Sequence, residues 1–92
     1  MPRRPRVDWM TRADDTILEF LLNDGNENLI ATPAVVEMNI EFGISTVRGR
    51  LRNLHEAGLV EYYDKSRGAY QISEKGKQYL EGELDASELE HE

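Results

Sequence analysis

Ser45-Thr46-Val47-Arg48-Gly49-Arg50-Leu51-Arg52-Asn53-Leu54, followed two residues later by Ala57-Gly58-Leu59-Val60, is the stretch on which the fold turns. At about 100° per residue, Val47, Leu51 and Leu54 share a narrow arc, which predicts a helix over 45–57 with one apolar face. Ser45, Thr46, Gly49, Arg52 and Asn53 face the other way, with Arg48 and Arg50 on the flanks. Ser45 has the hydroxyl of an N-cap, and Gly58 is the natural C′ residue that ends the helix. Three arginines within five residues of an acidic chain predict a helix that meets a polyanion, duplex DNA foremost.

Gly49 costs such a helix about 1 kcal/mol relative to alanine. On the outward face its missing side chain lets the backbone approach a groove floor or a phosphate; the plain alternative is a tolerated surface glycine. The arginines likewise have a plain alternative as a solvated charged face.

Downstream, Leu59-Val60-Glu61-Tyr62-Tyr63 and Ala69-Tyr70-Gln71-Ile72 are rich in β-branched and aromatic residues and flank the turn-forming Asp64-Lys65-Ser66-Arg67-Gly68. This predicts a β-hairpin whose tip, 64–68, presents Lys65 and Arg67 to phosphates. Ser73 caps a further helix from Glu74 to Leu80. Upstream, Thr11 caps a helix with the stripe Ala13, Ile17, Leu18, Leu21 and Leu22, and with Asp14 and Asp15 in the first turn, where the helix dipole favours negative charge. Asn23-Asp24-Gly25-Asn26 ends it, Leu29-Ile30 forms a short edge strand, and Thr32-Pro33 starts a short second helix.

Helix, strand, helix, turn, helix, hairpin, helix is the order of a winged helix-turn-helix domain. The expected class is therefore α+β, mainly α, with a three-helix core, a two- to three-stranded β-wing and a C-terminal helix. Thr46-Val47-Arg48-Gly49-Arg50-Leu51, Glu56-Ala57-Gly58-Leu59-Val60 and Ile72-Ser73-Glu74-Lys75-Gly76 resemble the recognition helix and wing of archaeal winged-helix regulators. Val7-Asp8-Trp9-Met10-Thr11, Ala13-Asp14-Asp15, Ile17-Leu18-Glu19 and Thr32-Pro33-Ala34-Val35 narrow the resemblance to the haloarchaeal phage phiH repressor-like family over about residues 7–84. The chain departs from that family at Gly49, where members often carry a polar or bulkier residue. The resemblance implies a sequence-specific, double-stranded DNA-binding transcription regulator, usually a homodimer.

The division that follows is a basic arm over 1–10, the winged domain over 11–83 and an acidic tail over 84–92. The arm residues Arg3, Arg4 and Arg6 are candidates for minor-groove contact, a loose terminus being the simpler reading. Trp9 and Tyr79 are candidates for dimer contacts or, more simply, for completing a small core. His55 is expected to be partly buried and hydrogen-bonded.

The net charge of -7 opposes a nucleic-acid role until the chain is divided. Residues 44–77 hold seven bases and four acids, whereas 78–92 hold six acids and no base. Basic charge gathers on the expected DNA face. Eight arginines to three lysines in an acidic chain suggest a halophile, where salt screens an acidic surface. Near molar salt the Debye length falls to about 3 Å, so affinity must come from short arginine forks rather than from long-range attraction.

With no cysteine, thiolate metal sites and disulfides are excluded, and two histidines make a metal site improbable. No phosphate-cradling glycine loop or nucleophile-base pair occurs, so neither enzymatic activity nor a cofactor is expected. No apolar run reaches the ~20 residues of a membrane span, and the first eight residues lack a secretion signal's apolar segment, which makes a cytoplasmic protein the expectation. The DNA-contacting set is Ser45, Thr46, Arg48, Gly49, Arg50, Arg52, Asn53, Lys65 and Arg67. The competing function is a winged-helix protein-interaction module without specific DNA binding, in which the arginines meet acidic partners.

Overall fold

The computed structural model describes residues 8–84. Four helices and one hairpin follow in the order α1 (Arg12–Leu22), α2 (Pro33–Asn39), α3 (Ile44–Glu56), β1 (Val60–Asp64), β2 (Ala69–Ile72) and α4 (Glu74–Leu80). This is the expected winged-helix architecture.

Three of the four helices start where a side chain at or near the N-cap meets N–H groups that the helix leaves unpaired. Thr11 sits at the α1 N-cap with extended backbone, and its N–H and hydroxyl both donate to Asp14 Oδ2, at 2.7 and 2.9 Å. The Thr32 hydroxyl accepts from Val35 N, with Pro33 at the first helical position. The Ser73 hydroxyl accepts from Gly76 N at 3.0 Å. At α3 the expected cap is displaced. Gly43, not Ser45, occupies the N-cap with extended φ and ψ, and its carbonyl accepts the first helical bond from Val47 N. Ser45 and Thr46 consequently lie inside the first turn.

The far end of α3 closes as expected. Gly58 takes φ of +80°, its N–H bonds to the His55 carbonyl and that of Leu59 reaches back to Leu54. This Schellman closure turns the chain from helix into strand within three residues. The first turn of α4 then docks on the same corner: Lys75 Nζ donates to the Ala57 carbonyl, Ser73 Oγ to that of Gly58 and Ser73 N to that of Leu59. Gly76 is required by this docking, because a Cβ there would overlap the Leu59 carbonyl oxygen and come within 2.7 Å of Ile72 Cγ1.

The core lies between α1, α3 and the hairpin. Ile17, Leu18, Leu21, Val36, Val47, Leu51, Leu54 and Leu59 are fully enclosed, so the apolar stripes predicted for α1 and α3 face each other. Trp9, Met10 and Leu84 pack against this core, and the packed body therefore extends slightly beyond both ends of 11–83. Tyr79 is buried and its hydroxyl donates to Asp15 at 2.6 Å. It completes the core.

The hairpin is antiparallel, pairing Val60 with Ile72, Glu61 with Gln71 and Tyr62 with Tyr70, with a bulge between Tyr62 and Asp64. In place of an edge strand at Leu29-Ile30, a single bridge joins Ala31 to Tyr70. Pro33 opens a helix two residues later and leaves no length for a strand. Among the described residues no helix is long and apolar enough to cross a membrane.

Candidate nucleic-acid interface

With Val47, Leu51 and Leu54 buried, the 3.6-residue repeat turns Ser45, Thr46, Arg48 and Arg52 to solvent, and all four are exposed. Arg48 and Arg52 are four residues apart and so lie on one face, a turn from each other. Among the described residues neither has an ion-pair partner. A Cβ built on Gly49 would meet nothing within 4 Å, so no contact inside the protein demands glycine there.

The ridge formed by α3 stands between two hollows. The larger, about 640 Å³, separates it from the start of α1 and is lined by Thr11, Arg12, Phe42, Thr46, Gly49 and Asn53 among others. Here the Arg12 guanidinium lies 5.2 Å from the centre of the Phe42 ring, a cation-π contact. The smaller, about 280 Å³, lies towards the hairpin and is lined by Pro33, Arg48, Arg52, His55, Tyr62 and Tyr70.

Arg50, expected among the DNA-contacting residues, is committed to the protein itself. Its Nε donates to Asp14 Oδ1 at 3.0 Å and an Nη to the Trp9 carbonyl at 2.7 Å. Its side chain is 20% exposed and that of Asp14 is fully buried. A buried carboxylate requires a partner, and Arg50 supplies it. Asp14 thus gathers three donors, from Thr11 and Arg50, and ties the start of α1, the segment before it and the middle of α3 into one unit.

The wing is short, four residues separating β1 from β2. Lys65 and Arg67 are exposed at its tip. Asp64 organises the turn: its Oδ1 accepts from Ser66 Oγ at 2.8 Å and Arg67 N at 3.3 Å, and its Oδ2 lies 3.5 Å from Arg67 Nε. Arg67 therefore carries a local counter-charge, whereas Lys65 has no ion-pair partner among the described residues.

A family model described as winged helix-turn-helix phage repressor matches residues 3–92. The chain belongs to this family. Its fold is similar to the crystal structure of the PhiH1 repressor-like protein from Haloarcula marismortui, with 34% identity, a TM-score of 0.76 and coverage of 94% of this chain and 93% of that one. Among curated proteins none matches this chain.

This repressor-family chain also brings together residues that sequence reasoning overlooked. His55 is exposed rather than partly buried; its ring lies 4.8 Å from that of Tyr62 and 6.3 Å from that of Tyr70. Tyr62 and Tyr70 stack at 4.7 Å and share a hydroxyl-hydroxyl bond of 3.1 Å. Burial, then the Tyr62 bond, pushes the Tyr70 phenol up to about 12. Strand alternation carried the signal, since Tyr62 and Tyr70 point to the same face as Val60 and Ile72. For Asp14 the signal was its place on the Ile17-Leu18-Leu21 stripe, where a carboxylate demands a cation. Arg3, Arg4 and Arg6, and most of the acidic tail, lie outside the described residues. No cluster of potential metal ligands occurs among the described residues.

Proposed function

We propose that this chain is a sequence-specific double-stranded DNA-binding transcription regulator, a repressor, acting as a homodimer in the cytoplasm of a halophile and performing no catalysis. The observation that carries the reading is the pair Arg48 and Arg52, exposed and without an ion-pair partner among the described residues, although the chain has 18 acidic residues. Charges left bare in so acidic a protein await an external anion.

In this reading α3 lies in a major groove. Arg48 and Arg52 divide between guanine O6/N7 and phosphate, and Ser45, Thr46 and Asn53 contact base edges or anchor backbone oxygens. Gly49 admits close approach. Lys65 and Arg67 set orientation on the neighbouring phosphates, and Arg3, Arg4 and Arg6 reach an adjacent minor groove. Two copies place their helices about one helical turn of DNA apart. Family membership and likeness to a haloarchaeal repressor-like protein support this reading, and the arginine-rich, acidic composition supports the halophile.

The test is selection of bound duplexes from a random pool in molar potassium chloride. A palindromic consensus is expected, and Arg48→Ala should relax the preference at one position of each half-site. Enrichment of no sequence, together with a saturable complex with an acidic protein partner, would transfer the chain to the protein-interaction class.

A further inference from the structure

The hollow between α3 and the base of the wing combines two guanidiniums and a phenol donor with apolar walls. Arg48 and Arg52 flank it, His55, Tyr62 and Tyr70 form an aromatic wall, Pro33 closes one side, and no carboxylate lines it. Neither guanidinium has an ion-pair partner among the described residues, so each is open to an external anion.

The hydroxyls add direction. Tyr62 and Tyr70 share one hydrogen bond, so of their two O–H protons one remains to be donated outward. Tyr70 donates to Tyr62, so the proton left for a ligand is that of the Tyr62 hydroxyl. The stacked rings, 4.7 Å apart and tilted by 27°, supply a rigid apolar wall beside the donors. A hollow of about 280 Å³ falls just short of the ~300–1,000 Å³ that enclose a drug-sized molecule. It suits one small part of a larger ligand.

We propose that this hollow seats a single phosphodiester of the bound duplex, held by Arg52 and the Tyr62 hydroxyl, with the adjoining deoxyribose against the rings of His55 and Tyr62 and with Arg48, at the rim, left to the base edges. The seat rests on the duplex-binding reading above and adds to it a contact that is blind to sequence. It fixes the angle at which α3 enters the groove. At salt concentrations that abolish long-range attraction, a charge-assisted bond made inside a walled hollow persists while exposed lysine contacts fade.

Tyr62→Phe removes only a hydroxyl from a partly exposed ring, and a thermal melt checks that the fold is kept. Each half-site of the selected duplex is scanned with single neutral methylphosphonates against the native chain and the variant. At the seated position the methylphosphonate should weaken native binding roughly tenfold, the scale of one hydrogen bond to a charged group. Tyr62→Phe should weaken specific and random duplexes alike, and at that position the methylphosphonate should then cost markedly less. Additive penalties at every position would overturn the seat while leaving the duplex reading intact.

A second arm needs no DNA: inorganic pyrophosphate is titrated into the free protein and followed by NMR at the His55 and Tyr62 rings. Saturable shifts that vanish on Arg52→Met support the seat even if no duplex is bound. Shifts no larger than those at surface residues overturn it.

Discussion

Replacing Arg50 by alanine separates a reading arginine from a positioning one. The substitution strips from Asp14, whose side chain is fully buried, the only cation that pairs with it among the described residues, and leaves the carboxylate with its two bonds from Thr11. Removing one partner of a buried pair costs about 3–5 kcal/mol; the retained Thr11 bonds and the 20% exposure of the Arg50 side chain favour the lower end, about 3 kcal/mol. For a chain of this size each kcal/mol shifts Tm by roughly 4–8 °C, so Arg50→Ala should melt roughly 12–24 °C below the native protein. Because the pair is enclosed, the loss should be similar at low salt and in molar potassium chloride. Circular dichroism melts at both salts, with the Asp14→Ala single and double variants, complete a double-mutant cycle. The double variant should be more stable than the sum of the single losses predicts, and the folded fraction of Arg50→Ala should keep the native base preference. An unchanged Tm accompanied by a relaxed DNA consensus would refute the reasoning and return Arg50 to the groove.

Gly49→Ala should act with opposite signs on stability and binding: alanine adds about 1 kcal/mol at a helix position where its Cβ meets nothing within 4 Å, so Tm should rise while duplex affinity falls. A rise in both would show that the backbone does not approach DNA at that point. Gly76→Ala should destabilise by about 1–3 kcal/mol or more, because its Cβ collides with the Leu59 carbonyl and Ile72; a urea midpoint within error of native would count against the tight docking of α4. Tyr70, pushed up to about 12, holds its proton more tightly folded than unfolded. Its contribution is therefore complete below about pH 10 and is lost as pH rises towards 12, at about 1.4 kcal/mol per pH unit. Urea melts between pH 9 and 11.5 should show a shallower decline in Tyr70→Phe, and equal slopes would contradict the burial of that hydroxyl.

Most of the scaffold was legible because its signals are local. Pro33 after Thr32, Ser73 before Glu74, and Gly58 after a periodic apolar stripe each follow from backbone chemistry within one helical turn. The start of α3 was misread for the same reason: Ser45 is the better capping side chain, yet extended backbone at Gly43 let the helix begin at Ile44. The missing edge strand has a similar cause, Pro33 leaving room only for the bridge from Ala31.

By itself the sequence determined the order of elements, the buried stripes and the concentration of basic charge between residues 44 and 77, since periodicity, caps and composition act over a few residues. Only the tertiary structure decided which of three similar arginines is available to a partner. Arg48, Arg50 and Arg52 have the same side chain on the same helix, and what distinguishes them is Asp14, 36 positions away from Arg50 in the chain and 3.0 Å away in space. The same holds for His55, Tyr62 and Tyr70, which become one surface only when α3 and the hairpin pack together. Charge is inherited from composition, but its availability depends on what the fold places beside it.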